Sequence, residues 1–73
     1  MPHVIVKMWS GRSDQQKRRL ADEVTAAVLR AVGGSESSIS VAIEDVDPND
    51  WTEKVYKPDI LGRPDQIYKK PGY

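Results

Sequence analysis

Chemistry in this chain starts at its second residue. The chain opens Met1-Pro2. Methionine aminopeptidases remove an initiator methionine when the next residue is small, and proline qualifies. Internal proline is an amide without useful basicity, whereas N-terminal proline is a secondary amine. An α-amino group has an ordinary pKa of about 7.7–8.0. Apolar burial or nearby cations lower that value by disfavouring the ammonium form. A base poised near the working pH suits general acid–base catalysis, so Pro2 is the candidate catalytic residue. Arg12, in Gly11-Arg12-Ser13, carries a planar fork that suits a carboxylate or an oxyanion. Trp51, at the end of Asp47-Pro48-Asn49-Asp50-Trp51, offers an apolar wall that would keep a pocket dry. Trp9 reads as packing. An amine that takes a proton and returns it, beside a cation that holds charge on an oxygen, can move a proton between oxygen and carbon.

Composition removes most other chemistries. There is no Cys and a single His, His3, so disulfides, thiolate sites and histidine-rich metal sites are excluded. No metal or organic cofactor is expected. Eleven Lys and Arg balance eleven Asp and Glu, which does not suit a nucleic-acid or membrane-surface binder. No apolar run approaches the roughly 20 residues of a membrane span, and the N-terminus lacks the pattern of a signal peptide. A cytoplasmic location is expected. The 73 residues allow one domain, residues 1–73. A lone domain near this size buries only about 60% of its unfolded surface, and small scaffolds need a staple. With disulfides and metals excluded, oligomerisation remains.

Three elements must position these residues. His3–Trp9 is β-branched and aromatic and reads as a strand, with Val4, Val6 and Met8 on one face and Ile5, Lys7 and Trp9 on the other. Ser13 and Gln16 match a capping box. Leu20, Ala21, Val24, Ala27, Val28, Ala31 and Val32 recur at helical spacing, which predicts a helix over 14–32. Gly33-Gly34 stops it. Residues 38–46 alternate and predict a second strand, with Ile39, Val41 and Ile43 on one face. Strand, long helix and strand imply parallel strands joined by a right-handed crossover. The helix would cover one sheet face, leaving the other face and both edges for partner subunits. Asp47 and Pro48 start a short helix over 48–55. Tyr56 to Tyr73 reads as turns, with a short helix near 64–69, and could wrap a neighbouring chain.

In this order and at these spacings the motifs resemble the 4-oxalocrotonate tautomerase family. They are Met1-Pro2 before a strand, Gly11-Arg12-Ser13-Asp14 with Gln16-Lys17, the helix, and the strand from Ser38 to Val46. Pro48-to-Trp51 and the ending Tyr68-Lys69-Lys70-Pro71-Gly72-Tyr73 look most like its PptA-type subgroup. The resemblance implies an α+β fold: a tautomerase-like β-α-β unit with parallel strands and short C-terminal helices, completed by oligomerisation. It implies an isomerase in which Pro2 moves a proton in enol–keto or dienol–enone isomerisation. It implies that Arg12, often from a neighbouring subunit, binds a carboxylate of a small-molecule substrate. Trp51 would line the pocket where typical members carry Phe. Those members place an arginine in the second strand, and this sequence has Ser40 there. Lys70, Lys69 or Arg63 could replace that cation. The subgroup implies a homodimer; typical members are hexamers.

Two other readings follow from the same residues. Hydration or dehalogenation of an unsaturated acid would need a water-activating carboxylate near Pro2, for which Glu44 and Asp45 are candidates. A non-catalytic oligomeric binding module would need only the fold. A helical DNA-binding module is disfavoured by the single long helix.

Overall fold

A computed structural model describes residues 1–73. Strand β1 spans His3–Trp9, as the β-branched run predicts. Helix α1 spans Asp14–Val32. It starts where the capping box places it: Gln16 N–H donates to Ser13 Oγ at 3.1 Å, and Ser13 N–H donates back to Gln16 Oε1 at 2.9 Å. It ends at Gly33, whose positive φ of 78° suits glycine and whose N–H donates to Leu29 O at 3.0 Å. Strand β2 spans Ser40–Val46, two residues shorter than the alternation suggests. Glu36–Ser38 form a 3-10 turn instead, locked by the Ser38 hydroxyl donating to Ser35 O at 2.8 Å.

The two strands are parallel, as a strand–helix–strand order requires. The register pairs His3 with Ser40, Val6 with Ile43 and Trp9 with Val46. Val4, Val6 and Met8 therefore share a face with Val41, Ile43 and Asp45, and α1 packs on it. Lys17 of α1 reaches Asp45 of β2 in an ion pair. The helix stripe is wider than two strands can cover. Leu20, Ala21, Val24 and Val28 are half-buried, but Ala27, Ala31 and Val32 on its flank stay exposed.

The second half departs from expectation. In place of one short helix over 48–55, Pro48–Asp50 form a 3-10 turn, and a π-helix follows over Thr52–Leu61. Residues 56–61 are thus helical rather than turns, despite Pro58. A proline ring clashes with the carbonyl four residues back in an α-helix; the wider turn moves that carbonyl away. Gly62 closes the π-helix, donating to Lys57 O at 2.8 Å. A Cβ at Gly62 would stand 2.6 Å from Pro58 O, so the chain leaves the helix at the one residue that fits. Of the helix expected near 64–69, only a 3-10 turn at Pro64–Gln66 forms.

The π-helix also lies against the second sheet face, which the sequence reading leaves bare. Lys7 Nζ donates to Asp59 Oδ2 at 2.5 Å. Val55 is buried there, and with Val46 it makes up the whole set of buried residues, 2 of 73. Ile5 and Trp9 remain about half exposed, at 51% and 53%. The coverage is partial.

Candidate active site

The sequence-derived residues fall at two ends of the sheet. Pro2 sits at the head of β1, half-buried. Its carbonyl accepts from Ser40 N–H at 3.1 Å, so the strand ladder fixes Pro2 against the start of β2. Beside it, His3 Nδ1 and Ser40 Oγ are hydrogen-bonded at 2.6 Å. Met1 is fully exposed, where a peptidase can reach it.

The other end carries Arg12 and Trp51. β1 is seven residues long, so at about 3.3 Å per residue its ends lie ~20 Å apart. Arg12 Nη1 donates to Trp9 O at 3.1 Å, which ties the arginine to the end of β1. Trp9 and Trp51 line one cleft of about 510 Å³ with Thr52, Tyr56 and Tyr73. Trp51 Nε1–H donates to Tyr73 Oη at 3.1 Å. Tyr56 and Tyr73 stack obliquely, with ring centroids 5.5 Å apart. Lys70 lines the adjoining cavity of about 360 Å³, which shares Tyr56 and Tyr73 as walls.

Within one chain, Trp51 and Lys70 line adjoining cavities that share Tyr56 and Tyr73, Arg12 is tied to the same end of β1 through Trp9 O, and Pro2 stands at the other end. Arg63 lines a separate cavity with Ile5, Lys7 and Asp59. The two carboxylates considered for water activation are occupied elsewhere. Asp45 pairs with Lys17 on the helix face, and Glu44 lies 4.0 Å from Lys7. The register puts both toward the Trp9 end of β2, away from Pro2. No group of three or more His, Asp or Glu residues is placed to hold a metal ion.

Sequence reasoning missed the two tyrosines and the His3–Ser40 pair. Tyr56 and Tyr73 fell within the stretch read as turns, and only the π-helix and the returning tail bring them to Trp51. The His3–Ser40 pair joins residues far apart in sequence. Register puts them side by side, and strand direction alone does not fix that register.

Comparison with known proteins decides the family. The family described as Tautomerase enzyme matches residues 2–54. The chain belongs to the tautomerase family. A probable tautomerase of Xylella fastidiosa is 45% identical over 73 residues, covering 100% of this chain and 89% of that protein. Tautomerase PptA of Cronobacter sakazakii is 39% identical over 74 residues, covering 100% of this chain and 97% of that one. The crystal structure of YwhB, a homologue of 4-oxalocrotonate tautomerase, is 50% identical with a TM-score of 0.61, over 63% of this chain and 75% of that chain. The fold and the PptA-like subgroup anticipated from the motifs are those found. As a tautomerase, the chain is an enzyme of the isomerase class.

Proposed function

We propose that this tautomerase moves a proton in enol–keto, or dienol–enone, isomerisation of a 2-hydroxy-unsaturated or enolpyruvate-type acid. The base is the Pro2 amine, freed by removal of Met1. It takes the enol hydroxyl proton, charge collects on the oxygen, and the Pro2 ammonium returns a proton to the neighbouring carbon. The enzyme needs no cofactor for this exchange. Arg12 binds the substrate carboxylate and Trp51 walls the pocket, with Lys70 at its margin. Because Pro2 and Arg12 stand at opposite ends of β1, the working site draws on a second copy of the chain, and a homodimer is the simplest arrangement. The supporting observation is Pro2 itself: half-buried, and held by its carbonyl against Ser40 N–H at 3.1 Å, so that its nitrogen has a fixed position. The reaction is placed in the cytoplasm.

The test is a pH–rate profile on phenylenolpyruvate, comparing Met1-free protein with Pro2→Ala. Loss of a positioned acid–base group lowers kcat by about 10²-fold or more. Protein that retains Met1 is inactive, because its Pro2 nitrogen is an amide. Equal rates for Met1-free protein and Pro2→Ala overturn the mechanism.

A further inference from the structure

Charge builds on the substrate oxygen as its proton leaves, and a hydrogen-bond donor beside Pro2 would stabilise it. We propose that Ser40 supplies the hydrogen bond to that oxygen, and that His3 positions the Ser40 hydroxyl to give it. The proposal rests on Pro2 as the base.

Three observations meet at this point. The parallel register sets His3 directly beside Ser40. Their side chains are bonded, Nδ1 to Oγ, at 2.6 Å. Both flank Pro2: His3 follows it in the chain, and Ser40 N–H donates to its carbonyl at 3.1 Å. Both side chains are also exposed, so a substrate can reach them. A serine hydroxyl has one proton to give and two lone pairs to accept with. When the imidazole carries its proton on Nδ1, it donates to Ser40 Oγ and occupies a lone pair. The single Ser40 proton is then free for the substrate oxygen. When Nδ1 is unprotonated, the Ser40 proton points back at the ring. The state of His3 therefore decides whether Ser40 can donate.

In the reaction, Pro2 breaks the enol O–H bond and takes its proton. The electron pair left on oxygen is held by the Ser40 O–H as the C=O bond forms. The C=C π pair is displaced to the carbon and takes a proton from the Pro2 ammonium, so that a C–H bond forms as the N–H bond breaks, and Pro2, Ser40 and His3 end as they began. Ser40 contacts the reacting oxygen; His3 is a positioning residue.

The test is a double-mutant cycle in Met1-free protein with phenylenolpyruvate as substrate. Removing an oxyanion donor lowers kcat steeply in buried sites; at this exposed site Ser40→Ala lowers it about 10- to 100-fold with KM nearly unchanged. His3→Ala lowers kcat by a similar factor, and adding it to Ser40→Ala costs little more. His3→Asn, whose amide N–H stands where Nδ1–H stands, recovers most of the loss. A merely structural pair would shift KM and melting temperature rather than kcat alone. Unchanged kcat in Ser40→Ala, or two losses that multiply in the double variant, overturns the proposal. Reductive methylation with formaldehyde and cyanoborohydride, read by peptide mass at Pro2, keeps the two readings apart. Full activity in Pro2→Ala overturns the base and this pair together. A reactive Pro2 amine, an inactive Pro2→Ala and a fully active Ser40→Ala overturn only the pair.

Discussion

At the scale of the residue, the role proposed for Arg12 starts from a local bond. One of its N–H groups is spent on Trp9 O, which fixes the side chain to the end of β1. A guanidinium has five N–H donors in a planar fork, so those remaining can grip a carboxylate with two parallel bonds. A lysine ammonium has the charge without the fork. Arg12→Lys is therefore expected to raise KM for an enolpyruvate-type acid about tenfold, with a smaller effect on kcat. The methyl ester of the same substrate, which offers no carboxylate, should show no such rise. Steady-state kinetics on the acid and the ester read both numbers; an equal effect on both would remove Arg12 from carboxylate binding. Pro2 differs in kind. Its identity as a proline matters only if the preceding peptide bond is gone, so its chemistry depends on processing.

At the scale of the element, α1 is fastened to β2 by the Lys17–Asp45 pair. The hydrogen bond that Lys17 Nζ donates to Asp45 raises the Lys17 pKa above the ordinary lysine value of 10.5, against a loss of hydration, and the charges of Asp45 and Asp14 add to the rise. A raised value means the folded chain holds this proton more tightly than the unfolded chain does. The stabilisation is complete below the ordinary lysine pKa and is lost as pH climbs through the raised one. The melting temperature of the parent should accordingly fall more steeply above pH 10.5 than that of Lys17→Met. Parallel curves for the two proteins would show that the pair adds nothing to stability. The π-helix poses the same question for the opposite face. Its Asp59 anchors Lys7 at 2.5 Å, so the wide turn that accommodates Pro58 also covers part of the sheet.

At the scale of the whole molecule, the single chain has little core of its own. Only 2 of 73 residues are buried. Apolar side chains of Ile5, Trp9, Val32, Leu61 and Tyr73 are more than half exposed, and the Ala27–Ala31 flank of α1 faces outward. Burial of apolar area drives association at about 25 cal/mol per Å², and under the proposed shared site a second copy would cover this surface. An assembly that folds as it associates has a melting temperature that rises with protein concentration. We expect that rise, together with a sedimenting mass of a dimer or larger. A monomeric mass with a concentration-independent melting temperature would refute the shared site.

What the sequence determined by itself was local or periodic. The capping box needs only Ser13 and Gln16, three residues apart. The extent of α1 follows from 3.6-residue spacing and Gly33, and the parallel strands follow from the length of the crossover. Pro2, Arg12 and Trp51 could be picked out because their chemistry depends on residue type and neighbours in the chain. The tertiary structure decided what depends on distant contacts. Pro58 reads as a helix breaker until the turn widens to admit it, and the widened helix is tied to β1 by Asp59 and Lys7, 52 positions apart. The gathering of Tyr56 and Tyr73 round Trp51 depends on where the tail returns. The separation of Pro2 from Arg12 depends on a straight strand between them. Side-chain spacing along a chain reports forces within a few residues, whereas these arrangements are set by packing between segments whose sequence separation carries no periodic mark.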